Sequence, residues 1–197
     1  MDALFALHSS AYVLRYWDAP PWTEPERAER FVAACRQMAE EGSGARLAMD
    51  RVSDGAFIGW CGLTRWNPDY RSASMSYCLD DAAWGDGYAT EAAGALLQWA
   101  FDTLDLNRVQ AETDTRNAAS ARVLEKLGFV VSVYSWPHSE RRGRPGVLRP
   151  VEVGPGFPWV PPCSFLFLQG VCLGAGGERR PPKRGVYAGQ RPAALVG

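Results

Sequence analysis

Residues 84 to 92 read Trp84-Gly85-Asp86-Gly87-Tyr88-Ala89-Thr90-Glu91-Ala92, a glycine pair one residue apart just ahead of an apolar-periodic run. Glycine takes positive φ without strain, so the backbone here can turn sharply and come close to a ligand. A helix starting near Thr90 would point its unpaired N–H groups and the positive end of its dipole into the same space. The chemistry is anion binding, and a pyrophosphate suits it. A P-loop would need Gly-Lys-Ser/Thr at its end, and a dinucleotide fingerprint would need a third glycine where Thr90 stands. Neither is present, and on these residues alone a plain turn with a capped helix stays open.

Such a loop needs a strand before it and a helix behind it. Residues 72–79, after Asn67-Pro68-Asp69, read as the strand, and residues 90–104 carry Ala93, Leu96, Leu97 and Ala100 at helical spacing. Upstream, Asp2 is placed to cap a short helix through Ser9, and Thr23 with Glu26 forms a capping box for a helix that ends near Glu41. Residues 47–52 and 56–64 predict a hairpin around Ser53-Asp54-Gly55. Downstream come a strand over 108–113, a helix capped by Asn117 that runs to Lys126 and stops at Gly128, and the start of a strand at 129–133. This order predicts an α+β plan with ligand access where a strand feeds the glycine loop.

The 197 residues, 47% of them hydrophobic and eight of them Trp, suffice for one packed domain. No apolar run approaches the roughly 20 residues that span a bilayer, and no basic-then-apolar leader opens the chain. A cytoplasmic location without membrane contact is expected. Cys35, Cys61, Cys78, Cys163 and Cys172 are odd in number with no C-x-x-C pair, which argues for buried thiols and no metal site. His8 and His138, the two histidines, stand at opposite ends of the chain, so a Ser-His or Cys-His triad is not expected.

The net charge of −1 conceals a switch, since residues 131–197 hold 9 of the 21 Lys+Arg but only 3 of the 22 Asp+Glu. Ten of the 14 prolines also lie there. The periodicity collapses from Ser135, with only residues 164–173 able to form a strand. The chain therefore divides into a domain over 1–133 and a Pro/Gly/Arg-rich, irregular tail over 134–197. With 19 Arg against 2 Lys, a GC-rich gene read out of frame after Phe129 would account for the tail. Its basic residues could meet phosphates, but no basic and aromatic interleaving appears, which argues against nucleic acid as the partner.

Taken together, Tyr77-x-Leu79, the loop from Trp84 to Ala92, Leu106-Asn107-Arg108-Val109, Asn117-x-x-Ser120 and Leu124-Glu125-Lys126-Leu127-Gly128-Phe129 resemble GNAT acetyltransferases of the RimJ/RimL type over about residues 1–130. The resemblance implies a mixed central sheet with helices on both faces and acetyl-CoA as co-substrate. It implies that the pyrophosphate lies on the backbone N–H groups of Gly85, Asp86, Gly87, Tyr88, Ala89 and Thr90, with Trp84 where the superfamily often has Gln or Arg. The pantetheine arm would run between strands 72–79 and 108–113, beside Leu79 and Asn117. Ser120 matches the position proposed to protonate the departing thiolate, and a serine at the third helical position lies in a field that favours a developing anion. Glu112 and Asp114 are the carboxylates nearest the expected site and could take the acceptor's proton.

The implied acceptor is a protein N-terminal α-amine of the ribosomal-protein kind, with a small amine or antibiotic as alternative, and a homodimer is compatible with the family. The family begins with a strand before its first helix and ends with two further strands after Gly-Phe. Here Met1 to Leu4 already read as helix, and nothing after residue 133 matches. The expectation is a GNAT fold lacking its first strand and last hairpin, better preserved on the cofactor side than on the acceptor side, with its catalytic competence in question.

Overall fold

Cys61, Leu63 and Met75 point to one face of a sheet, and Trp60 and Cys78, paired across the same two strands, point to the other. This period-two alternation of buried side chains makes two cores on one sheet, which needs helices on both faces. A computed structural model describes residues 1–134, 147–151 and 166–169. In order they form α1 (Asp2–Ser9), α2 (Glu26–Glu40), β1 (Ala45–Arg51), β2 (Phe57–Asn67), β3 (Ser72–Leu79), α3 (Tyr88–Asp102), β4 (Arg108–Ala111), β5 (Thr113–Asp114), α4 (Ala118–Lys126), β6 (Val130–Tyr134), β7 (Val147–Val151) and β8 (Leu166–Gln169). One sheet runs β4-β3-β2-β1-β8 and a second runs β5-β7-β6.

Helices α3 and α4 fill one face. Leu96, Leu97 and Ala100 of α3 and Leu124 of α4 pack with Leu63, Met75 and Val109 in the larger core. Leu97 is wholly buried, and its truncation to Ala would cost about 2–5 kcal/mol. Helices α1 and α2 cover the other face through Leu4, Leu7, Ala28 and Val32, which meet Trp60 and Cys78. The thiols of Cys35, Cys61 and Cys78 are free and buried. Burial pushes Cys61 up to about 12, and burial with the nearby Asp80 charge does the same for Cys78. Neither supplies a thiolate at neutral pH.

Several expectations change in detail. Asp2 lies inside α1, whose N-cap is Met1 without a side-chain bond. The box at Thr23 and Glu26 does not form, because Pro25 is the N-cap of α2 and Glu26 already has helical geometry. The strand expected over 108–113 breaks at Glu112 into β4 and β5, which join different sheets. No strand precedes α1 among the described residues, yet β8 pairs antiparallel with β1 from Ala48 to Arg51 and covers that edge. The expected loss of the last hairpin is corrected too, since β7 pairs antiparallel with β6 over Val130 to Tyr134 and with β5. β8 falls within residues 164–173, the one stretch of the tail expected to be able to form a strand, whereas β7 arises where composition gives little strand signal. The rest of that tail, with His138, Cys163 and Cys172, lies outside the described residues.

Candidate active site

β3 and β4 run parallel and pair only from Ser72 with Arg108 to Met75 with Ala111. Beyond that point β3 continues to Leu79 while the other strand breaks at Glu112 and turns to pair with β7. The two strands therefore diverge and leave a cleft whose backbone groups are free for a ligand's amides. Its banks are Tyr77, Leu79 and the glycine loop on one side, and the β5–α4 turn with Asn117 and Ser120 on the other.

The loop bank is built from backbone. Asp80 accepts a bond from the Ala82 N–H at 3.0 Å and starts a single 3-10 turn over Asp81–Ala83. Trp84 then ties the loop back to β3, its indole N–H donating to the Leu79 carbonyl at 3.0 Å. Gly85 and Gly87 have φ of +94° and +89°, and a Cβ at either would meet nothing within 4 Å. The space beside both is open, and the left-handed backbone is what demands glycine. Gly87 is the N-cap of α3, and its carbonyl accepts the Glu91 N–H at 3.0 Å. Helix α3 thus begins at Tyr88, two residues before the expected Thr90, and the N–H groups of Tyr88, Ala89 and Thr90 have no carbonyl one turn back. Asp86 is exposed at the loop tip. Open space, unpaired donors and a helix dipole together suit the pyrophosphate of acetyl-CoA.

The opposite bank is built from side chains. Asn117 caps α4, its Oδ1 accepting the Ser120 N–H at 3.1 Å, which leaves its amide N–H groups for a ligand. Ser120 Oγ lies 2.8 Å from the Tyr77 hydroxyl across the cleft. Burial pushes the Tyr77 phenol up to about 12, partly offset by its bond to Ser120, so it stays protonated and can donate. Tyr77 stands in the sequence motif on β3, and its odd-numbered register with Met75 and Leu79 aims it at the α4 face, but sequence alone did not pair it with Ser120.

The two carboxylates differ. Asp114 is mostly buried and accepts three bonds from Arg116, from the backbone N–H at 2.8 Å, Nε at 3.0 Å and Nη2 at 2.8 Å. The Arg116 bond holds its carboxyl below the usual range against the opposing effect of burial, which makes it a poor proton acceptor. Glu112 is exposed at the strand break.

Tyr12, Arg15 and Tyr16, in the segment that joins α1 to α2, reach Trp84 and Arg116 on the two banks, and no motif announces this. The Arg15 guanidinium lies over the rings of Tyr12, Tyr16 and Trp84 at 4.2, 4.8 and 4.9 Å, and that of Arg116 lies 5.8 Å from Tyr16. Behind them His8, stacked 4.2 Å from Trp22, accepts the Trp60 indole N–H at 2.9 Å.

The profile of the acetyltransferase (GNAT) domain family matches residues 1–130. The uncharacterised N-acetyltransferase p20 of Bacillus licheniformis is 27% identical over 143 residues, 73% of this chain and 80% of that protein. Spermidine N(1)-acetyltransferase of Escherichia coli K12 is 27% identical over 64% of each chain. Among solved structures, spermidine N-acetyltransferase from Vibrio cholerae, in complex with CoA and spermine, superposes with a TM-score of 0.65 at 17% identity over 78% of this chain and 88% of its own. A Vibrio cholerae protein assigned as a ribosomal-protein-serine acetyltransferase does so with 0.59 at 21% identity, over 68% and 77%.

Proposed function

Because the chain belongs to the GNAT acetyltransferase family and is an N-acetyltransferase, we propose that it transfers the acetyl group of acetyl-CoA directly to a protein N-terminal α-amine in a ternary complex. The observation that carries this reading is the weakness of the bases at the cleft: Asp114 is committed to Arg116 and its carboxyl is held low. Holding a lysine amine neutral at pH 7 costs about 4–5 kcal/mol, against about 1 kcal/mol for an α-amine. A site without a strong base favours the second.

The chain's residues divide the work. The N–H groups of Gly85 to Thr90 bind the pyrophosphate, while Leu79 and the Asn117 amide hold the pantetheine arm in the cleft. The neutral amine nitrogen bonds to the thioester carbon and the carbon–sulfur bond breaks. Glu112, directly or through water, takes the proton the nitrogen loses, and Ser120 Oγ–H supplies one to the sulfur. Tyr77 donates to Ser120 Oγ, so the seryl hydrogen is free to point at the sulfur. One proton lost by nitrogen and one gained by sulfur leave N-acetyl peptide and CoA thiol, and water carries the Glu112 proton back to Ser120 Oγ.

Likeness to spermidine acetyltransferases supports a second reading, a small polyamine acceptor. The test is acetylation by the whole chain, followed by mass, of peptides with free N-termini, peptides with blocked N-termini and internal lysines, and polyamines. A mass gain of one acetyl on free N-termini is expected. Gain only on blocked peptides or polyamines would overturn the α-amine reading. Acetyl-CoA binding without any gain would leave a CoA-binding fold that has lost its chemistry.

A further inference from the structure

The segment over the cleft mouth carries cations that nothing in the acetyl-transfer step requires. Arg15 is exposed and donates to the Tyr12 carbonyl at 2.6 Å. Three aromatic faces hold it in place without cancelling its charge. It is anchored through Trp84 to the glycine-loop bank, whereas Tyr16, on its other side, touches Arg116 next to Asn117 on the far bank. Two guanidinium groups therefore flank one ring across the opening. Asp114 pairs with Arg116, and the Arg15 guanidinium stands beside that pair.

The same sign continues outward. Trp17, the residue after Tyr16, helps line a cavity of about 380 Å³ together with Trp22, Phe31, Arg27 and Arg30. Among the described residues no acidic side chain lines it, and Arg30 pairs with Glu24 outside it at 3.2 Å. A polyamine, with several positive charges, would have to thread this opening against like charge. An acceptor with a carboxylate a few bonds beyond its amine would be drawn in and oriented, since complementary charge selects partners more than it adds raw affinity.

We infer that Arg15 and Arg116 select acceptors that are acidic just beyond the reactive amine, namely N-termini followed by Asp or Glu. The inference rests on the acetyl-transfer reading for its location and adds the substrate class. Arg15 and Arg116 act here as specificity residues. Tyr12 and Trp84 position Arg15, and Tyr16 spaces the two cations.

The test compares two peptides, Ser-Asp-Glu and Ser-Lys-Lys each followed by one common sequence, together with spermidine. Both kcat/KM with acetyl-CoA and Kd for the complex of the whole chain with CoA are measured. The acidic peptide is expected to lead by about tenfold, an advantage that shrinks as salt rises. In Arg15→Glu the ratio should fall to about one or invert, and Arg116→Gln should cut it about threefold. Ratios within one variant cancel any loss of donor binding. Equal use of the two peptides, preference for the basic peptide or spermidine, or a ratio unmoved in Arg15→Glu would overturn the inference. Discrimination in Kd with no turnover would remove acetyl transfer and still support charge selection.

Discussion

The two banks of the cleft are made by different means. The loop bank is one contiguous stretch, β3 to α3, and what it offers a ligand is backbone N–H donors set by two left-handed glycines and a helix start. The mouth and far bank draw on residues 8–31, 60 and 112–120, which meet only through side chains across the tertiary fold. A backbone site survives most nearby substitutions and depends on a few φ angles. A side-chain site can be retuned residue by residue, which lets donor binding stay fixed while the acceptor varies.

The strongest way to break this contrast is at Gly87. Asp there puts an L-residue at φ +89° and a negative charge at the anion-facing end of α3. The backbone strain and lost anion field together amount to about 3 kcal/mol. Acetyl-CoA affinity by titration calorimetry should drop about 100-fold, with melting temperature lowered by only a few degrees from the backbone strain. Retained affinity would mean that the loop is not the donor site.

The reaction across the cleft should show the converse. Ser120→Ala is expected to lower kcat about 100-fold and Tyr77→Phe about tenfold, the range for a proton donor and its orienting partner, while acetyl-CoA Kd holds. A rise in Kd without a fall in kcat would move Ser120 from chemistry to binding. The pH profile sharpens the assignment. If Glu112 is the base, Glu112→Gln should lower kcat across the pH range while Asp114→Asn, which breaks the Arg116 pairing, should not, and the acid limb of kcat/KM should follow the acceptor amine in both.

The acceptor-side layer also carries a pH liability that the loop does not. Burial, then the charges of Arg46 and Arg27, lower His8 to about 4 from its usual 6.5. The unfolded chain takes up the proton first as pH falls, so stability is complete above about 6.5 and is lost through the window down to about 4. The total loss is about 2–3 kcal/mol, allowing for the part of the ring that solvent screens. Urea midpoints measured from pH 7.5 to 4.5 should fall accordingly, and His8→Phe should flatten the slope. An unchanged slope in that variant would assign the acid sensitivity elsewhere.

Legibility in the sequence followed the same division. Helix α4, its Asn117 cap, the Gly55 turn and the glycine loop were readable because each is local: a capping residue three positions ahead of its N–H, or a glycine where φ turns positive. The Arg15–Trp84 and Tyr16–Arg116 contacts were not, because residues 69 and 100 apart in the chain leave no periodic trace when they meet. The missed hairpin has a similar cause, since β7 includes Pro150 and Arg149 and its pairing with β5 and β6 rather than its composition makes it a strand. The splitting of β4 from β5 at Glu112 was hidden by an unbroken strand-like run, and that split opens the cleft.

Asn117 is where the two modes of construction meet, and it gives the smallest and finest test. Its Oδ1 serves the fold by accepting the Ser120 N–H, and its amide N–H groups are the ones proposed to hold the pantetheine arm. Asn117→Ala should cost about 1 kcal/mol of stability from the lost cap and also weaken acetyl-CoA binding. Asn117→Asp separates the roles, because an aspartate caps equally well and suits the helix dipole but donates nothing to a ligand. Its melting temperature should match the parent while acetyl-CoA Kd rises about three- to tenfold, the worth of one hydrogen bond. An unchanged Kd would make Asn117 a cap alone and leave the arm to the backbone of β3, which would extend the backbone mode of binding along the whole donor.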